Sequence, residues 1–88
     1  MYNIKYSKKA VKDITNLRSA HLDKIAMRLI DILRENPYQN PPPFEKLVGN
    51  LKGLYSRRLN IQHRLVYEIR EETKEVLIFS MWTHYRDN

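Results

Sequence analysis

The sequence predicts an α+β domain: an antiparallel β-sheet with two N-terminal helices packed on one face, in the order β-α-α-β-β-β. Three observations predict it. Apolar residues recur at helical spacing only between residues 8 and 35. Alternation of period two marks residues 2–6 and returns after residue 54. All four prolines fall between positions 37 and 43, dividing a helical half from a strand-rich half. The 88 residues are read as one domain, 1–88, with a modest core to which a partner would add buried surface.

In order, Tyr2, Ile4 and Tyr6 alternate with Asn3 and Lys5, giving a first strand over 2–6. Ser7 can cap the helix that follows, in which Ala10, Val11, Ile14 and Leu17 share a face over residues 8–17. Leu22, Ile25, Ala26, Leu29, Ile30 and Leu33 set a second helix over 20–35, ended by Asn36-Pro37. The segment NPYQNPPP reads as a stiff, extended connector, because consecutive prolines favour polyproline II. After a loop bracketed by Gly49 and Gly53, strands are expected over 54–61, 63–70 and 74–83, joined by tight turns into an antiparallel meander. On the last strand Val76, Ile78 and Trp82 are expected on one face and Leu77, Phe79 and Met81 on the other, one face meeting the helices.

Composition narrows the function classes. The chain has no cysteine, and its three histidines are too scattered for a zinc pattern, so neither a metal site nor a cofactor is expected. No apolar run approaches the roughly 20 residues that span a bilayer, and the N-terminus lacks the apolar core of a signal peptide, which predicts a cytoplasmic protein without a membrane partner. The net charge of +6 and pI of about 9.7 point to an anionic partner. Lys5, Lys8, Lys9 and Lys12 form a solvated face that would suit a large RNA surface.

The charge is concentrated. Between residues 45 and 64, Lys46, Lys52, Arg57, Arg58 and Arg64 stand against the single acid Glu45, so this stretch holds +4 of the +6. Such a density of donors suits phosphate, and Lys46, Lys52, Arg57 and His63 are assigned to RNA binding. A carboxylate among five cations is unneeded for electrostatic binding and suggests a base. Cleavage of RNA by its own 2′-hydroxyl needs a base, an acid for the departing 5′-oxygen and cations for the phosphorane charge. Glu45 is the candidate base, Arg58 and Arg64 the clamps and His84 the acid, with Tyr85 beside it to stack a base or orient the phosphate. Arg58 and Arg64 straddle one turn, and His84 ends the strand expected to pair with the strand starting at His63. Blander readings stand beside these: Glu45 as a surface carboxylate, the arginines as solvated strand residues, and His63 as a histidine packed at a strand start.

The residues FEKL, NLKGLYSRRL, HRLVYEI and the near-terminal THY, in this order, resemble the YoeB/Txe group of toxin–antitoxin ribonucleases within the RelE-like superfamily. The resemblance covers nearly the whole chain. It implies a RelE-like fold and a ribosome-dependent endoribonuclease toxin that cleaves mRNA in the A site of the 70S ribosome, inhibiting translation. It also implies control by a cognate YefM/Axe-like antitoxin, and leaves homodimerisation open. Position by position, it places the base on Glu45, the phosphate-binding arginine on Arg64, the second arginine of SRR on Arg58, and the terminal histidine and tyrosine on His84 and Tyr85. Val48 and Gly49, Trp82-Thr83 and the Arg86-Asp87-Asn88 tail depart from the family pattern and bear on ribosome contacts and codon preference. The alternatives from other classes are a ParE-like toxin that binds DNA gyrase without nuclease chemistry, and a basic nucleic-acid-binding module.

Overall fold

The structure, a computed structural model, describes residues 1–84; the side chains of Thr83 and His84, and the whole of Tyr85 and residues 86–88, lie outside the described part. A five-stranded sheet carries two helices on one face. Strands β1 (Asn3–Tyr6), β2 (Glu45–Lys46), β3 (Leu54–Arg58), β4 (His63–Arg70) and β5 (Glu75–His84) lie side by side in the order β1-β5-β4-β3-β2. Helices α1 (Lys8–Ser19) and α2 (Asp23–Glu35) occupy the chain between β1 and the proline segment.

The helices form where the periodicity places them. Ser7 caps α1 by accepting a 3.0 Å hydrogen bond from the Ala10 N–H. The break between the helices comes at Ala20 and His21, the latter with φ of +58°, so α2 starts three residues later than the apolar pattern implies. Ala10, Leu17, Ala26, Leu29, Ile30 and Leu33 of the helices meet Leu65, Tyr67, Val76, Ile78 and Met81 of the sheet in one core.

The sheet differs from expectation in four respects. It is mixed, because β1 pairs parallel with β5 while β2 to β5 form the antiparallel meander. A short edge strand, β2, joins it through Glu45 and Lys46. β3 stops at Arg58, because the Asn60 side chain accepts from the N–H groups of Gln62 and His63 and turns the chain, leaving Ile61 exposed. The alternation along β5 is also broken: register shifts opposite Val66 move Met81 onto the core face with Val76 and Ile78, correcting its expected place beside Leu77 and Phe79.

Helix α1 fastens this irregular stretch. The Ser7 hydroxyl donates to the Phe79 carbonyl at 2.6 Å, and the buried Asp13 carboxylate accepts from the Met81 N–H at 2.9 Å while Lys9 approaches it at 3.0 Å. Asp13→Ala is therefore expected to cost about 2 kcal/mol, the usual penalty for a buried N–H left without its acceptor. Asp13→Asn, which keeps an acceptor oxygen, should recover most of it. Urea unfolding of the three proteins measures the difference.

The far end of the sheet has its own polar cluster. Glu71 accepts from Tyr2, Tyr38 and Lys74, tying the N-terminus and the proline segment to the β4–β5 turn. These hydrogen bonds, that of Lys74 foremost, then those of Tyr38 and Tyr2, hold its carboxyl down to about 2. A depressed carboxylate contributes stability that is fully present above its unfolded value and lost as pH falls through the folded one. The difference in melting temperature between the wild type and Glu71→Gln should thus shrink from about pH 4.5 down to about pH 2.

The proline segment is not an extended rod. In polyproline II, at about 3.1 Å per residue, Pro37 and Pro42 would stand roughly 15 Å apart. Instead the carbonyls of Pro37, Gln39 and Pro42 converge on one guanidinium, that of Arg57. The segment bends to do so, and carries cis peptide bonds at Asn40–Pro41 and Pro41–Pro42.

A candidate phosphate-cleavage site on the open face of the sheet

Strand pairing decides which functional side chains can meet. Glu45 on β2 lies opposite Ser56 on β3, and Arg58 on β3 lies opposite Arg64 on β4. Ser56 and Arg58, two residues apart, share the face turned away from the helices, as do Arg64 and Val66 on the neighbouring strand. His84 on β5 lies opposite His63 on β4, so the backbone brings the strand end carrying the expected acid next to the start of β4.

The result is a cavity of about 290 Å³ lined by Pro43, Phe44, Glu45, Ser56, Arg58 and Arg64. The Arg64 guanidinium is held from below. Its Nη1 donates to the Ser56 hydroxyl at 3.1 Å, its Nη2 approaches the Glu45 Oε1 at 3.4 Å, and its side chain is 6% exposed. Glu45 is the open member of the pair, its side chain 53% exposed. A fixed cation beside an accessible carboxylate can bind a phosphodiester and receive a proton from a group next to it. Held at 3.4 Å with one partner half exposed, the pair adds little to stability. Ser56 was not among the residues singled out from the sequence, although its place two residues before Arg58 puts it on the same face.

Other expected contributors lie elsewhere. Lys46 and Lys52 are exposed and border a separate hollow with Val48 and Leu54 beyond the edge strand. His63 corrects the expectation of an RNA contact: it is 4% exposed and its ring stacks on Trp82 at 3.7 Å between centroids, so it packs the start of β4. The His84 side chain and Tyr85 lie outside the described residues.

Arg57 is the largest correction. It is 1% exposed, on the face opposite Arg58, and makes four hydrogen bonds. Nε donates to the Tyr67 hydroxyl at 2.9 Å, Nη2 to the carbonyls of Pro37 at 3.0 Å and Gln39 at 2.9 Å, and Nη1 to that of Pro42. Its guanidinium lies over the Phe44 ring, 5.0 Å from the centroid. Burial pushes the Tyr67 phenol up, against the pull of Arg57, so the hydroxyl stays neutral as an acceptor. No RNA phosphate reaches a guanidinium so enclosed.

Comparison with known proteins shows the family. The sequence model of a family described as the YoeB-like toxin of bacterial type II toxin–antitoxin systems matches residues 5–85. The toxin YoeB of Synechocystis is 40% identical over 58 residues, which make up 66% of this chain and 65% of that relative, less than two thirds of its length. A YoeB–YefM toxin–antitoxin complex from Staphylococcus aureus, solved as a heterotetramer, contains a chain 32% identical to this one, with a TM-score of 0.79 over 97% of this chain and 99% of that one. The YoeB dimer from the same organism is 31% identical, with a TM-score of 0.78 over 96% and 98% of the two chains. Matched from residue 5 to residue 85, the chain belongs to the YoeB-like toxins of bacterial type II toxin–antitoxin systems.

Proposed function

We propose that this protein is an endoribonuclease toxin that cleaves mRNA on the 70S ribosome, in the A site, and so halts translation. The observation that carries the reading is the Glu45–Arg64 pair: an accessible carboxylate held 3.4 Å from a buried guanidinium in a cavity on the open sheet face. A phosphodiester seated on Arg64, with Arg58 reaching it from β3, places the nucleotide 2′-hydroxyl within range of Glu45. Glu45 takes the 2′-hydroxyl proton, the 2′-oxygen attacks phosphorus, and the bond from phosphorus to the 5′-oxygen breaks. His84 is the proposed donor of the proton to that oxygen, and Tyr85 the residue that orients the phosphate or stacks on a base. The products are a 2′,3′-cyclic phosphate and a 5′-hydroxyl.

Arg64 contributes by fixing two donors where negative charge grows, a task for which a rigid fork is better suited than a mobile ammonium. The ribosome contributes alignment. Holding the 2′-oxygen in line with the leaving oxygen is worth several kcal/mol, about what a half-exposed carboxylate in an open cavity would lack on free RNA. Lys46 and Lys52, exposed around a separate hollow beyond the edge strand, are proposed to steer toward RNA rather than to touch the reacting phosphate. The antitoxin expected to hold the protein inactive is of the YefM/Axe kind, a proposal supported by the staphylococcal toxin–antitoxin complex of the same fold; homodimerisation is supported by the staphylococcal dimer.

Primer extension on mRNA from cells expressing the chain alone tests the reading. Cuts within codons at the A site of stalled ribosomes are expected. Growth arrest with intact mRNA and inhibited DNA gyrase would replace it with the gyrase-binding alternative.

A further inference from the structure

We infer that Arg57 is a positioning residue for the cleavage reaction: by gathering the carbonyls of the 37–42 segment and covering Phe44, it sets where Glu45 stands opposite Arg64. This inference rests on the proposed role of Glu45. Three observations carry it. Glu45 sits on a two-residue edge strand that is anchored on its far side where the Leu47 N–H donates to the Leu54 carbonyl at 2.9 Å, so its place depends on what holds the chain on the near side. That chain is held chiefly by one side chain, since Arg57 binds residues 37, 39 and 42 and lies against the ring of residue 44. Phe44 in turn packs on Tyr55, which stacks on Tyr67, the residue whose hydroxyl receives the Arg57 Nε–H.

The chemistry makes this hold strong. A buried guanidinium is tolerated only while its donors are satisfied, and each acceptor that moved away would leave a buried N–H of a charged group without a partner. Here the acceptors are three backbone carbonyls and a neutral hydroxyl, so the cation and the connector fix one another. Adjacent residues of β3 point to opposite faces. Arg58 lines the cavity while Arg57, one residue earlier, braces the wall that carries the base. Neither arginine can do the other's work.

The test uses the full chain, with ribosomes carrying a defined mRNA as substrate, in single-turnover reactions with Arg57→Lys, Glu45→Gln and the double variant. Arg57→Lys should slow the limiting rate by on the order of 10²-fold, the usual cost of displacing a reacting group by about 1 Å, while the half-saturating ribosome concentration stays put. In the Glu45→Gln background the same substitution should have no further effect, because the residue it positions has already lost its function. Equal fold-losses in both backgrounds, or a loss confined to half-saturation, overturn the inference.

Hydrogen exchange supplies a readout independent of activity: in Arg57→Lys the amides of Glu45 and Leu47, which face β3, should exchange faster while those of β4 keep their protection. Unchanged exchange at Glu45 and Leu47 overturns the inference. If Glu45→Gln cleaves as fast as the wild type, it is the proposed role of Glu45 that fails, and the exchange experiment still decides whether Arg57 fixes the edge strand. Should Arg57→Lys not fold, Tyr67→Phe removes only the acceptor of Nε and should give a smaller rate loss that likewise vanishes in the Glu45→Gln background.

Discussion

Arg64→Ala is expected to lower single-turnover cleavage on ribosomes by on the order of 10²–10³-fold, the range found when a donor to developing charge is removed. Arg64 is set for that role by its surroundings. Ser56 holds one nitrogen and Glu45 borders another, so the fork is oriented before any phosphate arrives. Arg64→Lys keeps a positive charge but loses the planar fork, and should recover little. Lys52→Ala, at an exposed lysine beyond the cavity, should change the rate only slightly and mostly at low salt, where screening is weak. Comparable losses for Arg64→Ala and Lys52→Ala at fixed salt would remove Arg64 from its special place.

Glu45→Gln should cost on the order of 10²–10⁴-fold in the same assay, the usual worth of a positioned base. Glutamine keeps the size and an acceptor oxygen but cannot take the 2′-hydroxyl proton. With its side chain 53% exposed and its contact to Arg64 at 3.4 Å, the substitution should leave the melting temperature nearly unchanged. A rate loss without a stability loss marks chemistry; a matching loss of both would mark Glu45 as a structural residue.

Much of this fold was legible in the sequence. Strand β4 was read residue for residue, because Leu65, Tyr67 and Ile69 alternate without interruption into the core. The meeting of Arg58 with Arg64 followed from a tight turn between two alternating strands. What escaped was whatever depended on contacts between distant residues. Arg57 and Arg58 look alike as a charged pair in the sequence, and the carbonyls that bury Arg57 come from the proline segment 15 to 20 residues earlier. Asp13 looks like one more polar residue on a lysine-rich helix face until the Met81 N–H is found beside it. The two-residue β2 has no periodicity to read. The shift along β5 arises where its register with β4 slips, which no single-strand pattern records.

The most direct test of the Glu45–Arg64 site as a ribonuclease centre is cleavage of a ribosome-bound mRNA carrying one 2′-deoxynucleotide on the 5′ side of the scissile phosphate. Glu45 has a proton to remove only if the 2′-hydroxyl is the nucleophile. Complete protection of that bond, with a 2′,3′-cyclic phosphate ending the 5′ fragment of the all-ribose control, is the result expected. Cleavage of the deoxy-substituted bond at an undiminished rate would show that water or another group attacks phosphorus, and would contradict the role given to Glu45.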